Sequence, residues 1–156
     1  MFSIGDKVVY AMHGAGTVKA IEEKKILGEV RSYYILHISH GNMEIMVPTE
    51  GDSAGLRPIV SEDVIPRVED VLSSESTPME DNWNRRNREN MEKLKTGDLC
   101  QVAEVIRNLV RVDRGKKLST GEKKLLTSAK HILSSEMTMV LSISEDKALD
   151  IIDSSI

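Results

Sequence analysis

The sequence predicts an α+β protein in which a small β-barrel domain precedes a compact all-α domain. Residues 1–58 contain short segments in which apolar and polar residues alternate, and glycine-containing turns separate these segments. Residues 59–156 instead carry apolar residues at helical spacing, with capping residues before these segments. Aromatic residues are only 3% of the 156 residues, so we expect Val, Ile, Leu and Met to build the core.

The first domain is predicted to contain four strands joined by turns. In chain order these strands are Lys7–Tyr10, Thr17–Glu22, Arg31–Ile38 and Met43–Val47. The glycine-rich residues 13–16 are interpreted as a turn. Alternation along the last strand places Met46 on the face opposite Ile45 and Val47. Several short strands within about 55 residues favour an SH3-like or Tudor-like barrel over a sandwich.

The second domain is predicted to contain five helices. Apolar residues between Val64 and Leu72 form a helical stripe that includes Pro66. This helix either begins at Pro66 or begins after Ser61 and is kinked. Each later helix is predicted to follow a capping residue. The second helix follows Asp81 or Asn82, the third follows Asp98, and the fifth follows Ser144. The fourth follows Ser119, which forms a capping box with Glu122.

Composition argues against a membrane or secreted protein. No apolar run approaches the roughly 18–20 residues that a membrane helix needs. The first seven residues lack the charged and then apolar order of a signal peptide. The single cysteine, Cys100, has no partner for an internal disulfide. We therefore expect a soluble cytoplasmic protein.

The sequence contains no convincing catalytic or metal-binding motif. His37 and His40 have i, i+3 spacing, but no second pair of ligands stands near them, as a zinc site requires. Cys100 begins an amphipathic helix, where its thiol pKa could be lowered, yet no motif around it indicates a nucleophile. A half-buried thiol is the better interpretation of Cys100. We predict that the protein is not an enzyme and has no metal or cofactor.

Charge is unevenly distributed along the chain. Residues 83–131 hold 13 basic and 6 acidic residues, a net charge of +7, whereas residues 61–82 hold 1 basic and 7 acidic residues. The whole chain has a net charge of −4. A basic block between acidic ones indicates a local anion-binding face, and solvated helix faces are the alternative interpretation.

The basic block includes the only tryptophan of the chain. Trp83 stands at a predicted helix N-terminus beside three arginines, and a second basic cluster surrounds the predicted capping box. Helix N-termini and arginines both favour phosphate. If the helices pack so that both clusters face one way, they form a phosphate-binding surface, and the candidate DNA-contacting residues are Trp83, Arg85, Arg86, Arg88, Lys123 and Lys124. The alternative for Trp83 is a core position, which composition alone favours. No base-reading helix stands out, so DNA contact is predicted to depend on backbone and shape.

Motifs along residues 1–141 resemble those of the CarD/CdnL family of bacterial transcription regulators. The matching segments, in order, are Phe2–Tyr10, His13–Gly16, Ala20–Glu22, Val47–Pro48, Gly55–Arg57, Asn82–Arg86, Asn90–Leu94, Gly97–Asp98, Val102–Arg107 and Leu118–Lys124. The β part alone is also similar to the polymerase-binding module of transcription-repair coupling factors. The helical part carries the more specific motifs.

The resemblance implies a Tudor-like domain that binds the RNA polymerase β subunit and a helical domain that contacts promoter DNA. It implies stabilisation of the open promoter complex, notably at ribosomal RNA promoters, with Trp83 wedged into the minor groove at the upstream edge of the bubble. The implied polymerase-contacting residues are Lys24, Ile26 and Met46. Met46 departs from the family, which has a basic residue there, but strand-edge pairing does not depend on the side chain.

Other functions remain open alternatives on the sequence alone. A free-standing, sequence-specific repressor would use the β domain as a sensor or dimerisation module. It would need base-reading contacts, which the sequence does not plainly show. A small enzyme would need Cys100 or the histidines to converge in a pocket. A monomer is expected, with a domain-swapped dimer as the alternative.

Overall fold

The computed structural model describes residues 1–38, 40–50 and 55–156, without the side chain of His40. Its N-terminal part is a five-stranded antiparallel sheet, which we call the β half. The strands are β1 (Lys7–Tyr10), β2 (Gly14–Ile26), β3 (Glu29–Ile38), β4 (Met43–Pro48) and β5 (Leu56–Pro58). Their order across the sheet is β4-β3-β2-β1-β5.

The structure corrects the predicted ends of the strands. β2 begins at Gly14 and ends at Ile26, so the glycine-rich stretch predicted as a turn lies mostly within the strand. The turn is instead closed by a hydrogen bond from His13 N to Tyr10 O, at 2.9 Å. A Cβ on Gly16 would lie 2.4 Å from the carbonyl oxygen of His37, so close strand packing explains this glycine. The short strand β5 was not predicted.

The helical half contains five α-helices. They are α1 (Ile65–Ser73), α2 (Trp83–Lys95), α3 (Leu99–Gly115), α4 (Thr120–Leu141) and α5 (Glu145–Ser155). Pro66 lies in the first turn of α1, and a separate 3₁₀ turn, Glu62–Val64, follows Ser61. The sequence left two starts open for this helix, and the structure selects the one without a kink.

Helix capping confirms most of the predicted helix starts. The side chains of Asn82, Asp98 and Ser144 accept backbone N–H bonds at the starts of α2, α3 and α5. Ser119 and Glu122 form the predicted capping box of α4. Such caps satisfy backbone donors that the first helical turn leaves without partners.

Two hydrophobic cores are built mainly from aliphatic residues. The smaller one fills the β half and contains Val8, Val18, Tyr34, Leu36, Ile38 and Val47. The larger one joins all five helices. The two halves meet where α4 packs against β2. These features confirm the α+β prediction, and none of the described helices is long and apolar enough to cross a membrane.

Candidate nucleic-acid interface

Trp83 is the first residue of α2, and its position follows from the cap before it. The Asn82 side chain accepts hydrogen bonds from Asn84 N at 3.0 Å and Arg85 N at 3.2 Å. This cap fixes the first helical turn and holds Trp83 on its outer side. Trp83 is 49% exposed, which excludes the alternative that it is a core residue.

The three arginines of α2 divide into two groups. Arg85 and Arg88 are exposed, and within the described residues no carboxylate forms an ion pair with either of them. Arg86 instead donates from Nε and Nη2 to the two carboxylate oxygens of Glu122, at 2.6 and 2.8 Å. Arg85 and Arg88 therefore present free cations, whereas Arg86 joins α2 to α4.

Glu122 connects the N-termini of two helices. It is almost fully buried, and besides the Arg86 pair it accepts hydrogen bonds from the Ser119 backbone at 3.4 Å and hydroxyl at 3.1 Å. These bonds, above all that from Arg86, lower the pKa of Glu122, and the same pairing raises the pKa of Arg86. Both groups stay charged, and the first turns of α2 and α4 stay adjacent.

The α4 N-terminus carries the lysines predicted to contact DNA. Lys123 and Lys124 are exposed and, with Thr120, Thr127 and Ser128, line a shallow depression on the surface. Lysines and hydroxyl groups at a helix N-terminus bind phosphate through charge and hydrogen bonding. We use the name α2–α4 basic face for these two lysines of α4 together with Arg85 and Arg88 of α2.

The polymerase-contacting residues predicted from the resemblance lie on one face of the β sheet. Ala20 is paired with Ile35, which in turn is paired with Met46. Because alternate residues of a strand share a face, Lys24 and Ile26 lie on the same side as Ala20 and Met46. Ile26 and Met46 are 44% and 43% exposed. We call this surface the Met46 face.

Two features of the Met46 face were not predicted from the sequence. Arg31 is the partner of Lys24 across β2 and β3, so it adds a second cation to the face. The β2–β3 register would have revealed it, but the sequence does not give that register. In addition, β4 pairs only with β3 among the described strands, so its other edge is free.

Among the described residues, those considered for catalysis or metal binding do not gather into a site. Cys100 is half-buried, as expected, but burial and the nearby Asp98 raise its thiol pKa rather than lower it. No group of three or more metal-ligating side chains gathers within the part of the chain that the structure describes. The sequence predicted no metal site at His37 and His40, and the His40 side chain lies outside that part.

Comparison with known proteins assigns both halves of the chain. Residues 2–60 match the family model of the CarD-like/TRCF RID domain, which is an RNA polymerase-interacting domain. Residues 67–153 match the model of the CarD C-terminal domain. A protein of Bacillus subtilis (strain 168) named "Putative transcription factor YdeB" is 38% identical over 146 residues, which cover 93% of this chain and 95% of that protein.

These matches account for both parts of the structure. The polymerase-interacting domain corresponds to the five-stranded sheet, and the C-terminal domain corresponds to the helices that carry Trp83 and the α2–α4 basic face. The family consists of transcription factors and not of enzymes. The chain belongs to the CarD family of transcription regulators.

Proposed function

We propose that this protein binds the β subunit of RNA polymerase through its β half and stabilises the open promoter complex through its helical half. In this proposal the α2–α4 basic face follows the DNA backbone without reading sequence. Trp83 acts as an apolar wedge in the minor groove at the upstream edge of the bubble, with ribosomal RNA promoters among the targets.

One observation carries the proposal: a half-exposed tryptophan stands at a helix N-terminus next to two arginines that pair with no carboxylate in the described part of the chain. Exposing a large apolar ring is unfavourable in water, so Trp83 fits a role in contact with a partner. Arg85 and Arg88 flank it on the same helix, and the Arg86–Glu122 pair brings Lys123 and Lys124 close. An apolar wedge surrounded by phosphate-binding groups suits a distorted DNA step.

The Met46 face and the free edge of β4 support the proposed polymerase contact. Lys24 pairs with Glu22 at 3.1 Å, but both side chains are about half exposed, so this ion pair contributes little and leaves Lys24 available. Met46 offers a flexible apolar side chain, and the β4 edge offers main-chain hydrogen bonds. The missing charge at Met46 therefore changes the electrostatics of the contact and not its mode.

Stabilisation of the open complex follows from differential affinity. A protein that binds the open complex more tightly than the closed one shifts their ratio by the ratio of its two affinities. Contact with polymerase raises the local concentration of the helical half near the promoter. The α2–α4 basic face then needs only modest intrinsic affinity for DNA.

The first experiment measures the lifetime of the open complex on a ribosomal RNA promoter with the cognate polymerase. We expect the wild-type protein to lengthen the lifetime and Trp83→Ala to lose most of that gain. Trp83→Phe is the matched control and should keep part of the gain, because it retains an apolar ring. If the wild-type protein leaves the lifetime unchanged, the proposal is wrong, and sequence-specific repression becomes the hypothesis to test.

A second experiment tests the polymerase contact with two neighbouring lysines. Lys24 and Lys25 are consecutive on β2 and therefore lie on opposite faces of the sheet. We expect Lys24→Glu to weaken binding to the polymerase β subunit about tenfold, as loss and reversal of one interfacial charge commonly does. Lys25→Glu should bind within about twofold of wild type. Equal effects of the two substitutions would contradict the assignment of the Met46 face.

A further inference from the structure

An ion pair with a buried carboxylate joins the two halves of the molecule. Arg57 on β5 donates from Nη1 and Nη2 to the two carboxylate oxygens of Glu136 on α4, at 2.7 and 2.6 Å. The same carboxylate accepts a hydrogen bond from Val60 N at 2.8 Å. The Glu136 side chain is fully buried. All three bonds to Glu136 come from the segment that leaves the sheet.

Further hydrogen bonds surround this ion pair. Arg57 Nε donates to the carbonyl oxygen of Gly97, between α2 and α3, at 3.0 Å. Ser135, the neighbour of Glu136, accepts a hydrogen bond from Ala15 N on β2 at 3.0 Å. A Cβ on Gly14 would lie 2.8 Å from Ser135 Oγ, so β2 approaches α4 closely. We call the bonds made by Arg57, Ser135 and Glu136 the interdomain junction.

The chemistry of the interdomain junction favours one orientation of the two halves. A planar guanidinium whose two terminal nitrogens both donate to one carboxylate has a defined geometry. Two packed apolar surfaces, in contrast, can slide past each other. Any rotation that breaks the pair would leave the buried Glu136 charge without its partner, which is strongly unfavourable. The Ala15–Ser135 bond on a different strand adds a second fixed point. A salt bridge to a buried carboxylate is weak evidence for added stability, so the geometry that it specifies is the property of interest here.

We propose that Arg57 and Glu136 are positioning residues that fix the angle between the polymerase-binding half and the DNA-binding half. This inference rests on the proposed function. Tethering raises the local concentration of a binding group most when the linkage holds it where its target lies. The interdomain junction therefore determines how efficiently contact with polymerase delivers Trp83 to the edge of the bubble. Loosening it separates binding to polymerase from stabilisation of the open complex.

The first test measures the relative orientation of the two halves in the free protein. Spin labels are placed at Lys25→Cys on β2 and Glu89→Cys on α2, both exposed positions, in a Cys100→Ser background. We expect a single narrow distance distribution. Glu136→Gln keeps the side-chain volume but removes the charge, and it should at least double the width of that distribution. An unchanged width would overturn the inference.

Glu104→Gln is the matched control. It removes a partly buried carboxylate that pairs with Lys93 at 2.9 Å inside the helical half. We expect no change in the distance distribution for this variant. Arg57→Lys is the milder second variant, because it keeps the positive charge but loses the two-bond geometry, and it is expected to widen the distribution less than Glu136→Gln. Circular dichroism verifies that each variant retains the wild-type fold, and Arg57→Lys carries the test if Glu136→Gln does not fold.

The second test measures function in two separate assays. Binding of Glu136→Gln to the polymerase β subunit should stay within twofold of wild type. Its gain in open-complex lifetime at saturating protein should fall at least threefold. If the ion pair only stabilised the fold, a folded variant with unchanged affinity for polymerase would keep the full gain. Full retention of the lifetime gain, despite a wider distance distribution, would show that the angle is not functional. If wild type gives no gain, the proposed function fails, while the distance measurement still tests the interdomain junction.

Discussion

At the scale of single residues, Glu122 holds the N-termini of α2 and α4 together. Its carboxylate is shared between its own helix N-terminus, through Ser119, and α2, through Arg86. Arg86 was predicted to contact DNA, but two of its nitrogens are engaged by Glu122. We therefore propose that Arg86 supports the α2–α4 basic face from below, and that Arg85 and Arg88 make the direct phosphate contacts.

The lowered pKa of Glu122 predicts a dependence of stability on pH. A carboxylate whose pKa is lowered in the folded state stabilises the fold fully above its ordinary pKa, here 4.5. This contribution is lost as the pH falls through the lower, folded-state value. We expect Glu122→Gln to be less stable than wild type at about pH 6 and the difference to shrink towards about pH 3.

The measurement is the free energy of unfolding by urea for both proteins at a series of pH values. Despite partial burial, the pKa of Glu104 is also lowered, since Lys93 and Thr77 donate to its carboxylate, but Glu104 is common to both proteins and its contribution cancels in the difference. A difference that stays constant from about pH 6 to about pH 3 would show that Glu122 does not carry the effect.

Of the two sets of hydrogen bonds to the Glu122 carboxylate, only the one at the start of α4 could be predicted from the sequence. The Ser119–Glu122 capping box was predicted, because capping depends on residues three apart on one helix. The Arg86–Glu122 pair joins residues 36 positions apart, and no local pattern specifies such a contact. Glu136 differs in this respect. It lies within the apolar stripe of α4, between Leu133 and Met137, and a carboxylate at such a position indicates a buried partner elsewhere in the chain.

At the scale of elements, the α2 N-terminus links stability to the proposed function. Asn82→Ala removes the acceptor of two backbone N–H groups and should destabilise the protein by about 1 kcal/mol. Fraying of the first turn would also release Trp83, so the gain in open-complex lifetime should decrease. Asn82→Ser, which keeps a capping oxygen, is the control and should behave like wild type in both thermal unfolding and the lifetime assay.

The β2–β3 pairing depends on Gly16, because the backbone of β3 approaches this residue closely. A Cβ at Gly16 would lie 2.4 Å from the His37 carbonyl oxygen, which cannot move without breaking the strand pair. We expect Gly16→Ala to lower the free energy of unfolding by about 2 kcal/mol. Gly115→Ala at the end of α3 is the control: apart from neighbouring residues and the backbone of α3 itself, no atom lies within 4 Å of the new Cβ, and its effect should be under about 0.5 kcal/mol. Similar effects in both variants would contradict the packing argument.

Helices were predicted more accurately than strands, for a physical reason. A helix begins where a capping side chain accepts hydrogen bonds from the backbone of the first turn. Such capping residues can be recognised in the sequence, as at Asn82, Asp98 and Ser119. A strand extends as far as its partner allows. β2 continues to Ile26 because β3 pairs with it there, and β5 exists because β1 has a free edge. Such pairings are set by tertiary structure, which the sequence pattern does not encode locally.

At the scale of the whole molecule, the charge distribution fits a tethered DNA-binding protein. The net charge is −4, while residues 83–131 alone have a net charge of +7. Because an acidic chain is repelled by DNA at long range, we expect the basic face to bind DNA only weakly by itself. In the proposed function, binding to polymerase overcomes this repulsion by holding the helical half at the promoter.

Tethering predicts that variants of the two halves change a titration in different ways. In a titration of open-complex lifetime against protein concentration, the midpoint reports how tightly the protein joins the polymerase–promoter complex. The plateau reports its preference for the open state over the closed one.

We expect Lys24→Glu to move the midpoint about tenfold higher and to reach the wild-type plateau. Trp83→Ala should lower the plateau and leave the midpoint within about threefold, because the polymerase contact, which this variant keeps, supplies most of the total affinity. A Lys24→Glu curve with a lowered plateau would mean that polymerase contact itself favours the open state, and the division of roles between the two halves would be wrong.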